Sequence, residues 1–465
     1  MIDPGPILIL GAGPTGLGAA YRLQERGVGD FTVIEAREQP GGLASSYVDA
    51  RGFTWDVGGH VQFSHYAYYD DLLDRAVDRW LYHERESWVW IKGRFVPYPF
   101  QNNIHHLAAG DRRRALDGLE RAAAARGERR PENFGEWIRW TFGEGIAELF
   151  LEPYNFKVWG YPPATLGIGW MGDRVAVPDL ERIKQNVRDG RDDVSWGPNN
   201  RFRFPLRGGT GAIWHGVAKL IDAGRFRYGR AVRRIDLERR RVELADGETL
   251  AYGALVSSLP LTALAAMCEG LDPGARRAAA ALVYSSVHIL GIGLRGGKPD
   301  ELGKKCWIYF PDPASPYYRV TVFSNYSPHN VPDGEGHWSL MAEVCESPVK
   351  PVDRAVLPDA VLRAMRADRL VPPGAEVVSV WHRREEHGYP TPFLGRDAAL
   401  AAIRAALERH RVYSRGRFGA WQYEVSNQDH SCMQGVEVVD RILGIDEEVT
   451  IRYPDRVNGG TFLKR

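Results

Sequence analysis

Short, unbroken apolar runs alternate along this chain with segments whose apolar residues recur every three to four positions. The first run, Ile7-Leu8-Ile9-Leu10, reads as a strand and flows through Gly11-Ala12-Gly13-Pro14-Thr15-Gly16 into a helical pattern. A second strand-like run, Phe31 to Ile34, ends in Glu35, 24 residues after Gly11. This order of strand, glycine triplet, helix, strand and acid is that of a dinucleotide-binding unit. Gly11 permits the tight turn, Gly13 lets backbone approach a pyrophosphate, Gly16 lets the helix pack on the strand, and Glu35 suits a ribose hydroxyl. From about Asp111 to Asn186 polar helical patterns dominate, with an alanine-rich segment Ala115 to Arg126 and a tryptophan-bearing segment Glu136 to Phe150, and these predict a helical insert. Runs Ala231 to Leu237, Arg241 to Leu244 and Leu255-Val256 predict a meander that returns to the nucleotide domain. Val287 to Leu294, Trp307 to Phe310, Tyr318 to Phe323 and Trp338 to Cys345 predict an antiparallel sheet, with helices at Ala355 to Leu370 and Arg396 to Arg411. Within it, Gly291-Ile292-Gly293-Leu294-Arg295-Gly296 repeats the triplet formally, but Gly297-Lys298-Pro299-Asp300 cannot open the required helix, so this stretch reads as a strand end and turn.

Two further glycine-rich turns narrow the ligand. Gly41-Gly42-Leu43-Ala44-Ser45-Ser46 and Asp56-Val57-Gly58-Gly59-His60 resemble the extended flavin-binding start shared by amine oxidases, protoporphyrinogen oxidases and UDP-galactopyranose mutases. They leave room for an isoalloxazine against main chain, which points to FAD rather than NAD, with Gly42 and Gly59 joining Gly11, Gly13, Gly16 and Glu35 as cofactor-binding candidates. The expected fold is α/β: a Rossmann-like FAD-binding domain (1–72, 225–285 and 412–465), a helical uridine-binding domain with mobile flaps (103–198), and an antiparallel β-sheet domain (73–102, 199–224 and 286–411).

Composition excludes several classes. Sixty lysines and arginines nearly cancel 59 aspartates and glutamates, so no global field favours nucleic acid or an acidic membrane. Four scattered cysteines argue for reduced thiols and against a zinc site. No basic segment precedes the strand at Ile7, and the longest apolar stretch, Ala278 to Leu294, is interrupted by Tyr284, Ser285, Ser286 and His288. A cytoplasmic protein without a membrane partner is the expectation.

Five further stretches are Tyr98-Pro99-Phe100-Gln101-Asn102-Asn103, Pro153-Tyr154-Asn155-Phe156-Lys157-Val158-Trp159, Phe323-Ser324-Asn325-Tyr326-Ser327-Pro328, His387-Gly388-Tyr389-Pro390-Thr391-Pro392 and Gly416-Arg417-Phe418-Gly419. Together, with collinear spacing from Ile7 to about Asn458, they resemble UDP-galactopyranose mutases of the eukaryotic type. The resemblance implies a redox-neutral isomerase that interconverts the pyranose and furanose forms of UDP-galactose. The flavin is reduced, its N5 is the nucleophile at the anomeric carbon, and NADPH or NADH is a candidate reductant. Alternatives are a mutase for another nucleotide sugar, such as UDP-arabinose, and an amine- or protoporphyrinogen-type oxidase on the same scaffold.

Residue by residue, the resemblance assigns Arg174 and Arg319 to the diphosphate, where a planar fork serves better than a lysine. Tyr309, Tyr389 and Tyr423 become hydroxyl donors to the phosphates, and Tyr98, Gln101, Phe150, Asn155 and Trp159 the uridine set. Tyr326 and Asn427 join the substrate-binding residues. His60 is placed over the flavin, while Arg85, Arg417, Ser426 and Gln428 are placed at flavin-contacting positions. Met171 to Asp179 and Ser195 to Arg201 match substrate-gating flaps, with Arg174 on one, Asn199 on the other, and Gly172, Gly190 and Gly197 as hinges.

Overall fold

The computed structural model describes residues 3–125, 127, 130–171, 177–194, 200–332 and 336–459. Its nucleotide sheet has five parallel strands in the order Val412–Ser414, Ala254–Ser257, Ile7–Leu10, Phe31–Ile34, Phe226–Arg227. Ile7–Leu10 is central. Ile7 and Ile9 face a core shared with the helices Pro14–Glu25 and Gln428–Ile442, whereas Leu8 and Leu10 face a second core built from the meander and the helix Arg396–Glu408. A strand buried on both faces has no polar side to show, which is why its sequence is an unbroken apolar run.

The Pro14–Glu25 and Gln428–Ile442 helices cross at glycines. A Cβ on Gly435 would overlap the Thr15 carbonyl, and one on Gly18 would overlap Cys432, so backbones meet directly there. The meander pairs Thr249–Ala251, Arg241–Leu244 and Val232–Asp236, with Cys268–Glu269 added in parallel.

The helical region contains Ala109–Ala124, Phe134–Ile146, Glu152–Trp159 and Leu180–Asp189. The expected continuous helix from Glu136 to Phe150 is broken. Gly143 adopts φ +69°, where a side chain would strike Gly118 of the neighbouring helix, and a π-helical turn follows at Ala147–Leu151. Close helix contact through Gly118, Gly143 and Gly145 has overridden the periodicity.

The largest sheet runs Glu376–Pro390, Tyr284–Arg295, His337–Glu346, Arg319–Thr321, Trp307–Tyr309, Ser87–Ile91, Arg94–Pro97. It departs from the antiparallel expectation at one pairing, where Trp307–Tyr309 runs parallel to Ser87–Ile91. The latter arrives from far earlier in the chain, so no hairpin imposes a direction. Gly291 and Gly293 lie inside the strand Tyr284–Arg295, not at its end. A Cβ there would come within 2.5 Å of the Trp55 ring and 2.7 Å of the Phe53 ring, so these glycines make room for stacked aromatics. Among the described residues no helix is long and apolar enough to cross a membrane.

Candidate active site

One cavity of about 740 Å³ runs from the glycine triplet to the helical region and the hairpin that joins Trp307–Tyr309 to Arg319–Thr321. At its first end the donors are main chain. Gly11 takes φ +99°, and the helix that begins at Pro14 has no side-chain cap on Gly13, which leaves its N-terminal dipole facing the cavity. Gly16 lies behind this surface rather than on it; a Cβ there would overlap the Gly11 carbonyl. Gly41 and Gly42, both with positive φ, fold back so that the Gly41 N–H donates to the Ala12 carbonyl at 2.8 Å and Gly42 abuts Gly13. Glu35 accepts from the N–H groups of Ala12 (2.7 Å) and Arg37 (2.9 Å), which holds its carboxylate at the cavity edge. Uncapped helix N–H groups, a close glycine cradle and a fixed carboxylate are what an adenosine diphosphate moiety requires, so these residues fit the dinucleotide.

In the middle of the cavity Gly58 (φ +105°), Gly59 and His60 form a tight loop. A Cβ on Gly59 would meet Thr321 Oγ1 at 2.7 Å and Trp307 Nε1 at 3.0 Å. Burial pushes the His60 imidazole down to about 4, with Arg319 and Arg417 adding to the effect and Glu343 opposing it, so the ring is neutral near pH 7. Arg417 donates to Ser426 Oγ (2.9 Å) and to the Gly388 carbonyl (3.0 Å) and lies 5.0 Å from the Tyr389 ring centroid. Arg85 lines the cavity 6.0 Å from the Tyr98 ring centroid. Gln428 opens the Gln428–Ile442 helix and accepts from Trp214 Nε1 at 2.7 Å, and Asn427, its N-cap, also lines the cavity.

The far end is built from side chains. Tyr309 and Arg319 are cross-strand partners. Arg319 Nε and Nη2 each donate to Glu343 at 2.8 Å, and the same carboxylate accepts from the Tyr318 hydroxyl at 2.6 Å and the Gly59 N–H at 3.0 Å. Glu343 is only 3% exposed; burial alone would raise its pKa, yet Arg319, the Tyr318 hydroxyl and the Gly59 N–H hold it below its ordinary value. Sequence reasoning missed Glu343, although a lone carboxylate inside the apolar run Leu340 to Cys345 was the available signal. Aromatic rings pave the rest. Phe150 stacks on Tyr154 (5.1 Å), which meets Tyr309 (5.4 Å), which meets Tyr98 (5.2 Å), while Trp159 contacts Tyr423 (4.8 Å) and Tyr389 (5.7 Å). Burial raises the Tyr389 hydroxyl to about 12 and moves Tyr98 and Tyr154 upward as well, which keeps them protonated donors. Asn155 donates Nδ2 to the Leu151 carbonyl at 2.8 Å.

Comparison with known proteins agrees with this geometry. The family of flavin-containing amine oxidoreductases matches residues 14–443. A crystal structure of reduced UDP-galactopyranose mutase is 49% identical, over 98% of this chain and 97% of that one, with a TM-score of 0.96. The chain belongs to the UDP-galactopyranose mutase family. Putrescine oxidase bound to putrescine (16% identity, 94% and 99% coverage, TM-score 0.65) and a fatty acid isomerase from P. acnes (14%, 95% and 99%, 0.64) share the fold alone.

Besides Gly16, two expected substrate-binding residues of this mutase family member stand away from the cavity. Tyr326 is fully buried among Phe202, Phe204 and Phe323, where its hydroxyl has no partner among the described residues, because the 3₁₀ turn Phe323–Asn325 turns it into that cluster. Gln101 is buried in the turn Phe100–Asn102 and is not on the cavity wall. Arg174 and Asn199, with most of both expected flaps and the hinges Gly172 and Gly197, lie outside the described residues. Gly190 ends the helix Leu180–Asp189 at φ +61°. All four cysteines are free and buried; Cys432 packs against Gly18.

Proposed function

We propose that this chain interconverts UDP-galactopyranose and UDP-galactofuranose without net redox change, with FAD bound along the cavity and already in its reduced form throughout turnover. The observation that carries this reading is the match to a reduced UDP-galactopyranose mutase at 49% identity over 98% of the chain. Reduced FAD, when bound, supplies the nucleophile for the anomeric carbon and is regenerated at the end of the cycle.

The chain's own residues bind, orient and neutralise. The Arg319 edge not engaged by Glu343 meets the departing diphosphate, and Arg174 joins it by family match. Tyr309, Tyr389 and Tyr423 donate hydroxyls to the phosphates without adding charge. Tyr98, Phe150 and Trp159 enclose the uracil, and the Asn155 amide oxygen accepts from it. Glu343 orients Arg319 and the Gly59 loop together, since one carboxylate bonds to both. His60, neutral near pH 7, positions that loop and moves no proton. Asn199 joins the substrate-binding set by family match alone. The division into FAD, helical and sheet domains, a nicotinamide reductant and a cytoplasmic setting complete the proposal; four free, buried thiols support the last of these.

Redox accounting tests the reading. Anaerobic enzyme reduced once with dithionite is expected to convert UDP-galactofuranose for many turnovers, while oxidised enzyme is inactive and releases no substrate-dependent peroxide. A requirement for a fresh electron pair at each turnover would overturn it.

A further inference from the structure

The helix Glu152–Trp159 has two working faces. Tyr154, Asn155, Val158 and Trp159 line the cavity, whereas Lys157 is only 5% exposed and points away from it. Its Nζ donates to the carbonyls of Asp312 (2.8 Å) and Ser315 (2.7 Å). Both carbonyls lie in the loop between Trp307–Tyr309 and Arg319–Thr321, whose closing residues are the cross-strand pair Tyr309 and Arg319. The loop's opposite side is held by Asp368, which accepts from Ser315 Oγ (2.7 Å), Tyr317 (2.5 Å) and Trp90 (3.1 Å).

Resting on the function proposed above, we infer that Lys157 is a positioning residue that ties the uridine-bearing helix to the hairpin carrying Tyr309 and Arg319, and so sets the distance between the uridine and diphosphate subsites. A buried ammonium bonded to two main-chain carbonyls is a costly way to fill space. It is a good way to fix two elements, because a single Nζ donates to both carbonyls at once. Burial pushes this ammonium down to about 7, with Lys350 adding to the effect and Asp312 and Asp368 opposing it. The link touches neither substrate nor cofactor; its effect is on registry between two subsites.

Registry gives a readout that mere loss of packing would not. In the holoenzyme, the affinities for uridine and for UDP are measured by titration for wild type and for Lys157→Met, which keeps the volume and removes the donors. The expected result is unchanged uridine affinity with UDP affinity lowered about tenfold, and with the flavin spectrum and melting temperature close to wild type. For Lys157→Ala, propylammonium, which replaces the three carbons and the nitrogen removed, is expected to restore UDP affinity and propanol is not. The inference is overturned if Lys157→Met binds UDP normally, if uridine and UDP affinities fall together, or if propanol rescues as well as the amine. If wild type itself binds UDP no more tightly than uridine, the proposed substrate is at fault instead.

Discussion

The two ends of the cavity are built by different means, and on the function proposed above they recognise their ligands differently. The dinucleotide end presents helix N–H groups, a glycine cradle and one carboxylate within about thirty residues of sequence. The far end, proposed for the sugar nucleotide, presents hydroxyls, rings and a buried ion pair drawn from positions between Tyr98 and Tyr423. Backbone recognition is rigid and indifferent to most side chains nearby. The side-chain end depends on many elements staying in register, and Glu343 is where the two meet, through Gly59 on one side and Arg319 on the other.

The sharpest way to separate the ends is Arg319→Ala, which is expected to lower turnover on the order of 100-fold or more, as loss of one preorganised electrostatic contact does, while flavin absorbance stays at wild-type level. Arg319→Lys is expected to fail too, because a point charge cannot both pair with Glu343 and present a planar edge. Loss of flavin from either variant would show that the two ends are not separable. The converse is Gly11→Val. A β-branched residue at φ +99° is strained, so flavin occupancy is expected to fall on the order of tenfold, with UDP binding retained. Flavin content by heat release and UDP titration check this pair.

A smaller effect concerns the middle of the cavity. His60 has its pKa lowered from 6.5 to about 4, so between those values the unfolded chain binds more protons than the folded one. Its contribution is therefore fully present above about pH 6.5 and is lost as pH falls toward 4, on the order of 1–2 kcal/mol after solvent screening. Urea unfolding of wild type and His60→Asn at pH 7 and pH 4.5 is expected to show a steeper acid loss in wild type, and equal losses would refute the assignment. The smallest contrast pits two tyrosines against each other. Tyr389→Phe is expected to weaken UDP binding roughly 3- to 10-fold, the worth of a neutral hydrogen bond. Tyr326→Phe removes a buried hydroxyl without a partner among the described residues and is expected to leave turnover unchanged and stability equal or higher by about 1 kcal/mol.

What was legible in advance follows the same division. The triplet at Gly11, the strand Ile7–Leu10 and Glu35 were readable because each lies next to its partners in sequence. The motif residues Asn155, Trp159, Tyr309, Arg319, Tyr389 and Tyr423 were readable only through family resemblance, since nothing local distinguishes a cavity tyrosine from a core one. Tyr326 shows the cost: it sits in a matched motif, yet a 3₁₀ turn carries it into an aromatic core. Gly291 and Gly293 show the reverse, a formal nucleotide motif whose glycines exist to admit Trp55 and Phe53.

By itself, then, the amino-acid sequence determined the strands Ile7–Leu10 and Phe31–Ile34 and the dinucleotide turn between them, because these depend on short-range periodicity and on glycines whose conformational freedom is a local property. It carried the family through the resemblance of its motifs. The edge strands Phe226–Arg227 and Val412–Ser414, and the place of Ala254–Ser257 in the parallel sheet rather than the meander, were not legible in it. Only the tertiary structure decided that Glu343 binds both Arg319 and Gly59, that Gly143 breaks a helix against Gly118, and that Lys157 reaches the loop before Arg319. Each of these is a contact between residues far apart in the chain, where burial makes an unmet polar group or a Cβ too costly to leave in place, and that cost exists only once the elements have packed.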